Sequence, residues 1–167
     1  ASAKGYGLSK FISIGNQADI TASEYLEYLA TDNDTKVIVF YMEGFKDGRK
    51  FFQLAREIVK HKPLVIFKGG STLAGSRATL SHTASLAGSE EVFDSMCQQA
   101  GLIRASEAIH AFEMAEALVG QPPPQGKRVA IMGSGGQGVV ITDACVSLGL
   151  VVPEFDSETT GSIQKLL

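Results

Sequence analysis

Short apolar runs alternate along this chain with longer stretches in which apolar residues recur every three or four positions, as when buried strands and amphipathic helices take turns. Leu8 to Ile14 is the first predicted strand, closed by Gly15-Asn16. Asp19 or Thr21 caps the next helix, which carries Tyr25, Leu26, Tyr28 and Leu29; Glu24, three residues after Thr21, completes a capping box. Val37 to Met42 is the second strand. A helix from about Asp47 to Lys60 presents Phe51, Phe52, Leu54, Ala55, Ile58 and Val59 on one side, and Leu64 to Phe67 follows Pro63 as the third strand. Further on, Ser89 is placed to cap a helix bearing Val92, Phe93, Met96 and Cys97. Gly101 ends that helix, Leu102-Ile103 is a short strand, and Ser106 is placed to cap a helix from Glu107 to Leu118. This alternation predicts an α/β fold with a parallel sheet covered on both faces, complete by about residue 119.

Gly120-Gln121-Pro122-Pro123-Pro124-Gln125-Gly126 punctuates the pattern. Successive prolines favour an extended spacer and cannot continue a helix. Residues 120–127 are therefore read as a linker between a first domain, 1–119, and a second α/β unit, 128–167. The second unit is predicted to hold a strand Arg128 to Met132, a glycine-rich turn Gly133 to Gly138, a helix from Val139 to Leu148 and a short strand Leu150-Val151-Val152. With too few strands to finish a sheet, it reads as a truncated domain.

At 167 residues and 44% hydrophobic content, the chain is long enough for one sizeable core and part of another. A net charge of −3 and the lack of any Lys/Arg run argue against nucleic acid or an anionic membrane as partner. No stretch is long enough to cross a bilayer and no signal-peptide pattern opens the chain, so a cytoplasmic address is expected. Cys97 and Cys145 stand outside any metal-ligand spacing and read as reduced, partly buried thiols; no metal site is expected from the sequence.

Candidate chemistry concentrates between Lys68 and Ser89, where small residues surround His82 just beyond the carboxyl end of a predicted buried strand. Open α/β sheets place their ligands at that edge. Neutral imidazole, with an ordinary pKa of about 6.5, is a competent nucleophile toward phosphorus when a carboxylate holds its other nitrogen. Glu43, closing the second strand immediately before Gly44, is the candidate carboxylate. The plain alternatives are a surface-loop histidine for His82, which its small-residue setting disfavours, and an exposed acid opening a turn for Glu43, which spacing alone leaves nearly as good. The turn Gly133 to Gly138 lies between strand and helix, where first-turn N–H groups suit a phosphate. Gly133, Gly135 and Gly138 also fit a dinucleotide fingerprint loosely, with Glu154 and Asp156 near the expected acid position. A tight turn using glycine for steric reasons fits as well. His61, beside Lys62-Pro63, reads as solvated, and His110 falls within a helix.

Five segments together resemble the NDP-forming acyl-CoA synthetases, that is, the ADP-forming acetate–CoA ligases and their relatives the succinyl-CoA synthetases. They are Ser13 to Asp19, Tyr41-Met42-Glu43-Gly44, Lys68-Gly69-Gly70, Ser81-His82-Thr83 with Leu86 to Ser89, and Gly133 to Gly138, in the family's order and spacing. The resemblance implies a flavodoxin-like three-layer sandwich and the start of a further ligase domain. It implies that acyl-CoA, ADP and inorganic phosphate interconvert with acid, CoA and ATP through an acyl phosphate and a phosphohistidine at His82, which Glu43 hydrogen-bonds. By the same resemblance, Ser134, Gly135, Gly136 and Gly138 cradle the phosphoryl group, Gly70, Ser81 and Thr83 belong to the histidine loop, and Gly15 and Asn16 lie at the site's edge. The implied cofactors are CoA, ADP/ATP with Mg2+, and phosphate. The implied partners are a CoA-binding domain, an ATP-grasp domain or subunit and a small-molecule acid, within an oligomeric intact enzyme.

The family carries glycine after the His-Thr pair, where this chain has Ala84. Neither the CoA-binding domain nor the ATP-grasp domain is found in these residues, so the piece alone is expected to be inactive. An alternative within the same resemblance is a catalytically silent, acyl-CoA-sensing synthetase-like region of a protein acetyltransferase. A third reading is an interaction domain without chemistry. The pairing of His82 with Glu43 favours the enzyme.

Overall fold

A computed structural model describes residues 7–70, 89–122, 124–133 and 135–165. The chain divides into two compact units, Ala1–Pro122 and Pro123–Leu167. In the first, α1 (Ala22–Thr31), β1 (Ile38–Met42), α2 (Gly48–Ile58), β2 (Leu64–Lys68), α3 (Glu90–Ala100), β3 (Ile103–Arg104) and α4 (Ala108–Gly120) follow in order. The strands form a three-stranded parallel sheet, β1-β2-β3, with Ile38 opposite Leu64, Met42 opposite Lys68 and Val65 opposite Ile103.

Because side chains alternate across a strand, β1 and β2 each feed two cores. Ile38, Phe40, Met42, Leu64 and Ile66 pack with Leu26 of α1, Phe51 and Ala55 of α2, and Phe93 and Cys97 of α3. On the opposite face Val65 packs with Ala105, Ala111, Val39, Phe67, Met114 and Leu118 against α4. The result is the expected sandwich, with three helices on one face and α4 on the other.

Local signals set the helix ends. Thr21 and Glu24 form the predicted capping box: Thr21 N–H donates to Glu24 Oε2 at 2.8 Å and Glu24 N–H to Thr21 Oγ1 at 3.4 Å. Asp47 caps α2 by accepting from Lys50 N–H at 2.9 Å. Gly101 stops α3 in the left-handed region at φ 75°, and the bonds Gly101 N–H to Gln98 O and Leu102 N–H to Cys97 O complete a Schellman motif.

Several expectations need correction. Leu8 to Ile14 is not a strand: it has no ladder with any described strand, and Leu8 and Phe11 are 51% and 84% exposed. The segment is held instead by side chains, Ser9 Oγ to Thr35 Oγ1 at 2.8 Å and Lys10 Nζ to Asp32 at 2.7 Å. The short strand begins at Ile103, because Leu102 completes the Schellman motif. Ser89 occupies the N-cap of α3 as expected but makes no side-chain cap bond, whereas Ser106 does not cap: Glu107 occupies the N-cap of α4, and Ser106 Oγ bonds His110 Nδ1 at 2.6 Å.

In the second unit, the strands predicted at Arg128 to Met132 and Leu150 to Val152 reduce to a single parallel bridge, Arg128 with Val151. None of this unit's described residues is buried, so no apolar packing supports a wider ladder. Its helices are α5 (Gly136–Ser147), which starts three residues ahead of the expected Val139, and α6 (Ser157–Gln164), which the hydrophobic pattern did not predict. Asp156 caps α6 by accepting from Thr159 N–H at 2.7 Å.

Candidate functional site

Glu43 follows the last residue of β1, at the carboxyl edge of the sheet. Its Oε1 accepts a hydrogen bond from the Tyr41 phenol at 3.0 Å. Its Oε2 is buried and has no hydrogen-bond partner among the described residues. Partial burial pushes the Tyr41 phenol above its ordinary range, and the neighbouring carboxylate adds to the shift.

Two contacts bring other candidate residues to the same edge. Gln17 Nε2 donates to Gly44 O at 3.1 Å while Gln17 Oε1 accepts from Ala22 N–H at 3.1 Å, so the Gly15-Asn16 turn is tied both to the residue after Glu43 and to the start of α1. Sequence reasoning passed over Gln17 as part of a motif. Its backbone, at φ 55°, is a left-handed non-glycine, which a pattern of residue types does not reveal. Gly69 N–H donates to Met42 O at 2.9 Å, which sets the start of Lys68-Gly69-Gly70 beside the end of β1.

Lys68 and Glu90 stand on either side of the segment that carries His82, and they are bonded, Nζ to Oε2, at 2.9 Å. The Lys68 side chain is only 4% exposed. Glu90 Oε1 also accepts from Arg104 Nη2, and Arg104 Nε reaches Asp94 at 2.5 Å. Both cations lie over the Phe93 ring, at 5.6 Å for Lys68 and 4.8 Å for Arg104. This network, which the sequence reading did not anticipate, joins β2, α3 and β3. His82, Ser81 and Thr83 lie outside the described residues, as does Ser134.

In the second unit Gly135 occupies the N-cap of α5 at φ 60°, a conformation glycine adopts without steric cost. Gly136 and Gly138 fall in the first turn. No side chain caps this helix start, and Gly138 N–H donates to Gly135 O at 3.2 Å.

Elsewhere Cys97 is buried and its thiol is pushed up to about 11, chiefly by desolvation, so it is not a reactive nucleophile. Among the described residues no group of three or more His, Cys, Asp or Glu side chains is placed to hold a metal ion. No described helix is long and apolar enough to cross a membrane.

A three-stranded parallel sheet between helices, with Glu43 and Gly69 at the carboxyl edge of its strands, defines a flavodoxin-like α/β class. Residues 1–118 match the succinyl-CoA ligase-like flavodoxin domain, and the chain belongs to that family. It is 45% identical over 145 residues to the alpha subunit of acetate–CoA ligase [ADP-forming] I of Pyrococcus furiosus, covering 86% of this chain and 31% of the relative. It is 40% identical over 163 residues to acetate–CoA ligase [ADP-forming] I of Archaeoglobus fulgidus, covering 98% of this chain and 24% of the relative. Among solved structures, dinucleotide forming acetyl-coenzyme A synthetase 1 of Ca. Korarchaeum cryptofilum, in complex with phosphate and ADP, superposes with a TM-score of 0.85 at 33% identity, over 93% of this chain and 34% of that one. The chain thus spans about a third or less of the length of these relatives.

Proposed function

We propose that this chain is part of an ADP-forming acid–CoA ligase in which His82 carries the phosphoryl group and Glu43 orients it. The observation that carries the proposal is the orphaned Glu43 Oε2, buried at the carboxyl edge of β1 while its sister oxygen is engaged by Tyr41. A buried carboxylate oxygen without a donor costs about 1–3 kcal/mol, so a donor is expected to face it. An imidazole N–H supplies one.

In the proposed cycle a phosphate oxygen attacks the acyl-CoA carbonyl and the C–S bond breaks, giving acyl phosphate and CoA. A His82 nitrogen then attacks phosphorus, and the P–O bond to the acid breaks with the free carboxylate as leaving group. An oxygen of the ADP β-phosphate next takes the phosphoryl group from His82 and forms ATP. Glu43 holds the imidazole's second nitrogen as an N–H donor and stabilises the positive charge that the ring gains on phosphorylation. Phosphoryl transfer depends on positioning and on oriented donors, and the uncapped start of α5, opened by Gly135 and Gly136, offers N–H groups of the kind that phosphate oxygens take. Ser134 is assigned to the same seat, Gly70, Ser81 and Thr83 to the histidine loop, and Gly15 and Asn16 to the edge of the site. CoA, the nucleotide and its Mg2+ are assigned mainly to a CoA-binding domain and an ATP-grasp domain or subunit of the intact enzyme.

The test uses the full-length protein and acyl phosphate labelled at phosphorus. Acid-labile, base-stable label is expected, and His82→Asn abolishes it; label that persists in His82→Asn rules the assignment out. Glu43→Gln is expected to slow labelling roughly 10²-fold.

A further inference from the structure

Tyr41 has no role in the scheme above, yet its surroundings are specific. It is 53% exposed, so its ring adds little to the core. It lies two residues before Glu43, where side chains emerge on the same side of an extended segment. Its ring rests against Phe67, its register partner on β2, with centroids 5.0 Å apart and planes 36° from parallel. On a third side is Gly69: a Cβ built there would fall 2.9 Å from the ring's Cε2 and Cζ, closer than real contacts allow. Gly69 is itself held by its bond to Met42 O. Phe67 and Gly69 together leave the ring where its phenol meets Glu43 Oε1 at 3.0 Å.

We propose that Tyr41 is a positioning residue of the phosphoryl-transfer site, occupying Glu43 Oε1 so that Oε2 is the one oxygen offered to the imidazole. A carboxylate at a strand end has several rotamers and two equivalent oxygens. A charge-assisted hydrogen bond to one oxygen fixes both choices. Glycine in Lys68-Gly69-Gly70 then has a defined purpose, which is to make room for the ring that orients the acid. This inference rests on the phosphohistidine reading and adds a residue to it.

The experiment measures His82 phosphorylation from acyl phosphate in the full-length enzyme. Tyr41→Phe keeps the ring and removes the hydroxyl. The rate at saturating acyl phosphate is expected to fall about tenfold, the worth of one hydrogen bond to a charged group, with the half-saturating concentration unchanged because the phenol touches no substrate. In a Glu43→Ala background Tyr41→Phe is expected to cost nothing more, since its effect runs through the carboxylate. Gly69→Ala is expected to reproduce the loss by displacing the ring. An unchanged rate in Tyr41→Phe, or a full tenfold loss persisting on top of Glu43→Ala, overturns the Tyr41 role while His82-dependent labelling stands. Label that survives His82→Asn overturns the underlying functional reading instead.

Discussion

Lys68 Nζ and Glu90 Oε2 meet at 2.9 Å across the ends of the segment that carries His82. Glu90 serves two cations at once, Lys68 and Arg104. Removing its charge takes one anion away from two cations, one of them on a lysine that is only 4% exposed. Glu90→Gln is therefore expected to destabilise the fold by about 2 kcal/mol, discounted from the buried-pair range because Glu90 itself is partly exposed. Urea unfolding checks this; a loss below about 0.5 kcal/mol would assign the pair to the weak surface class.

Asp32 makes part of the structure's stability depend on acid. A hydrogen bond from Lys10 and a second from Thr35 hold its carboxyl down to about 2, against an ordinary value of 3.8. A depressed folded-state pKa means stabilisation that is present above the unfolded value and disappears as pH falls through the folded one. Asp32→Asn should lower Tm at pH 7, and the difference from wild type should shrink between pH 3.8 and about 2. A mutant offset that stays constant through that window would exclude the ion pair as its source.

The two thiols are predicted to separate by reactivity. Cys97 is buried and its thiol lies near 11, whereas Cys145 is only partly covered. In native protein one thiol, Cys145, is expected to react readily with a disulfide reagent, and Cys97 only after unfolding. Fast labelling of Cys97, read by peptide mass, would contradict its place on the buried face of α3.

Gly101→Ala tests the Schellman stop of α3. The nearest atom to an added Cβ is Val59 Cγ2 at 3.5 Å, an ordinary contact, so the cost comes from the backbone at φ 75°. About 1–2 kcal/mol is expected in denaturant unfolding. A neutral substitution would mean the turn adopts another conformation in solution.

Much of the fold was legible because its signals are local. Thr21 with Glu24, Asp47 and Gly101 each act within a few residues, and the sequence reading placed all of them at helix ends. Ser89 carried the same type of signal and holds the N-cap without a side-chain bond, while Ser106 failed because its hydroxyl is drawn to His110 and Glu107 takes the N-cap. Leu8 to Ile14 looked like a strand by composition, but a strand exists only where a neighbour takes up its backbone groups. The start of α5 was hidden for the opposite reason, since Gly136 and Gly138 have poor helix propensity and yet sit in its first turn.

The sequence by itself determined the order of strands and helices from α1 to α4, the two apolar faces of β1 and β2, and the residue types from which chemistry could be built, because periodicity and capping act between near neighbours. Only the tertiary structure decided that Tyr41 and Gly69 meet, that Gln17 reaches Gly44, and that Lys68 and Arg104 share Glu90. Those partners are brought together by parallel strand register and helical crossovers, whose long connections leave no mark in the local pattern.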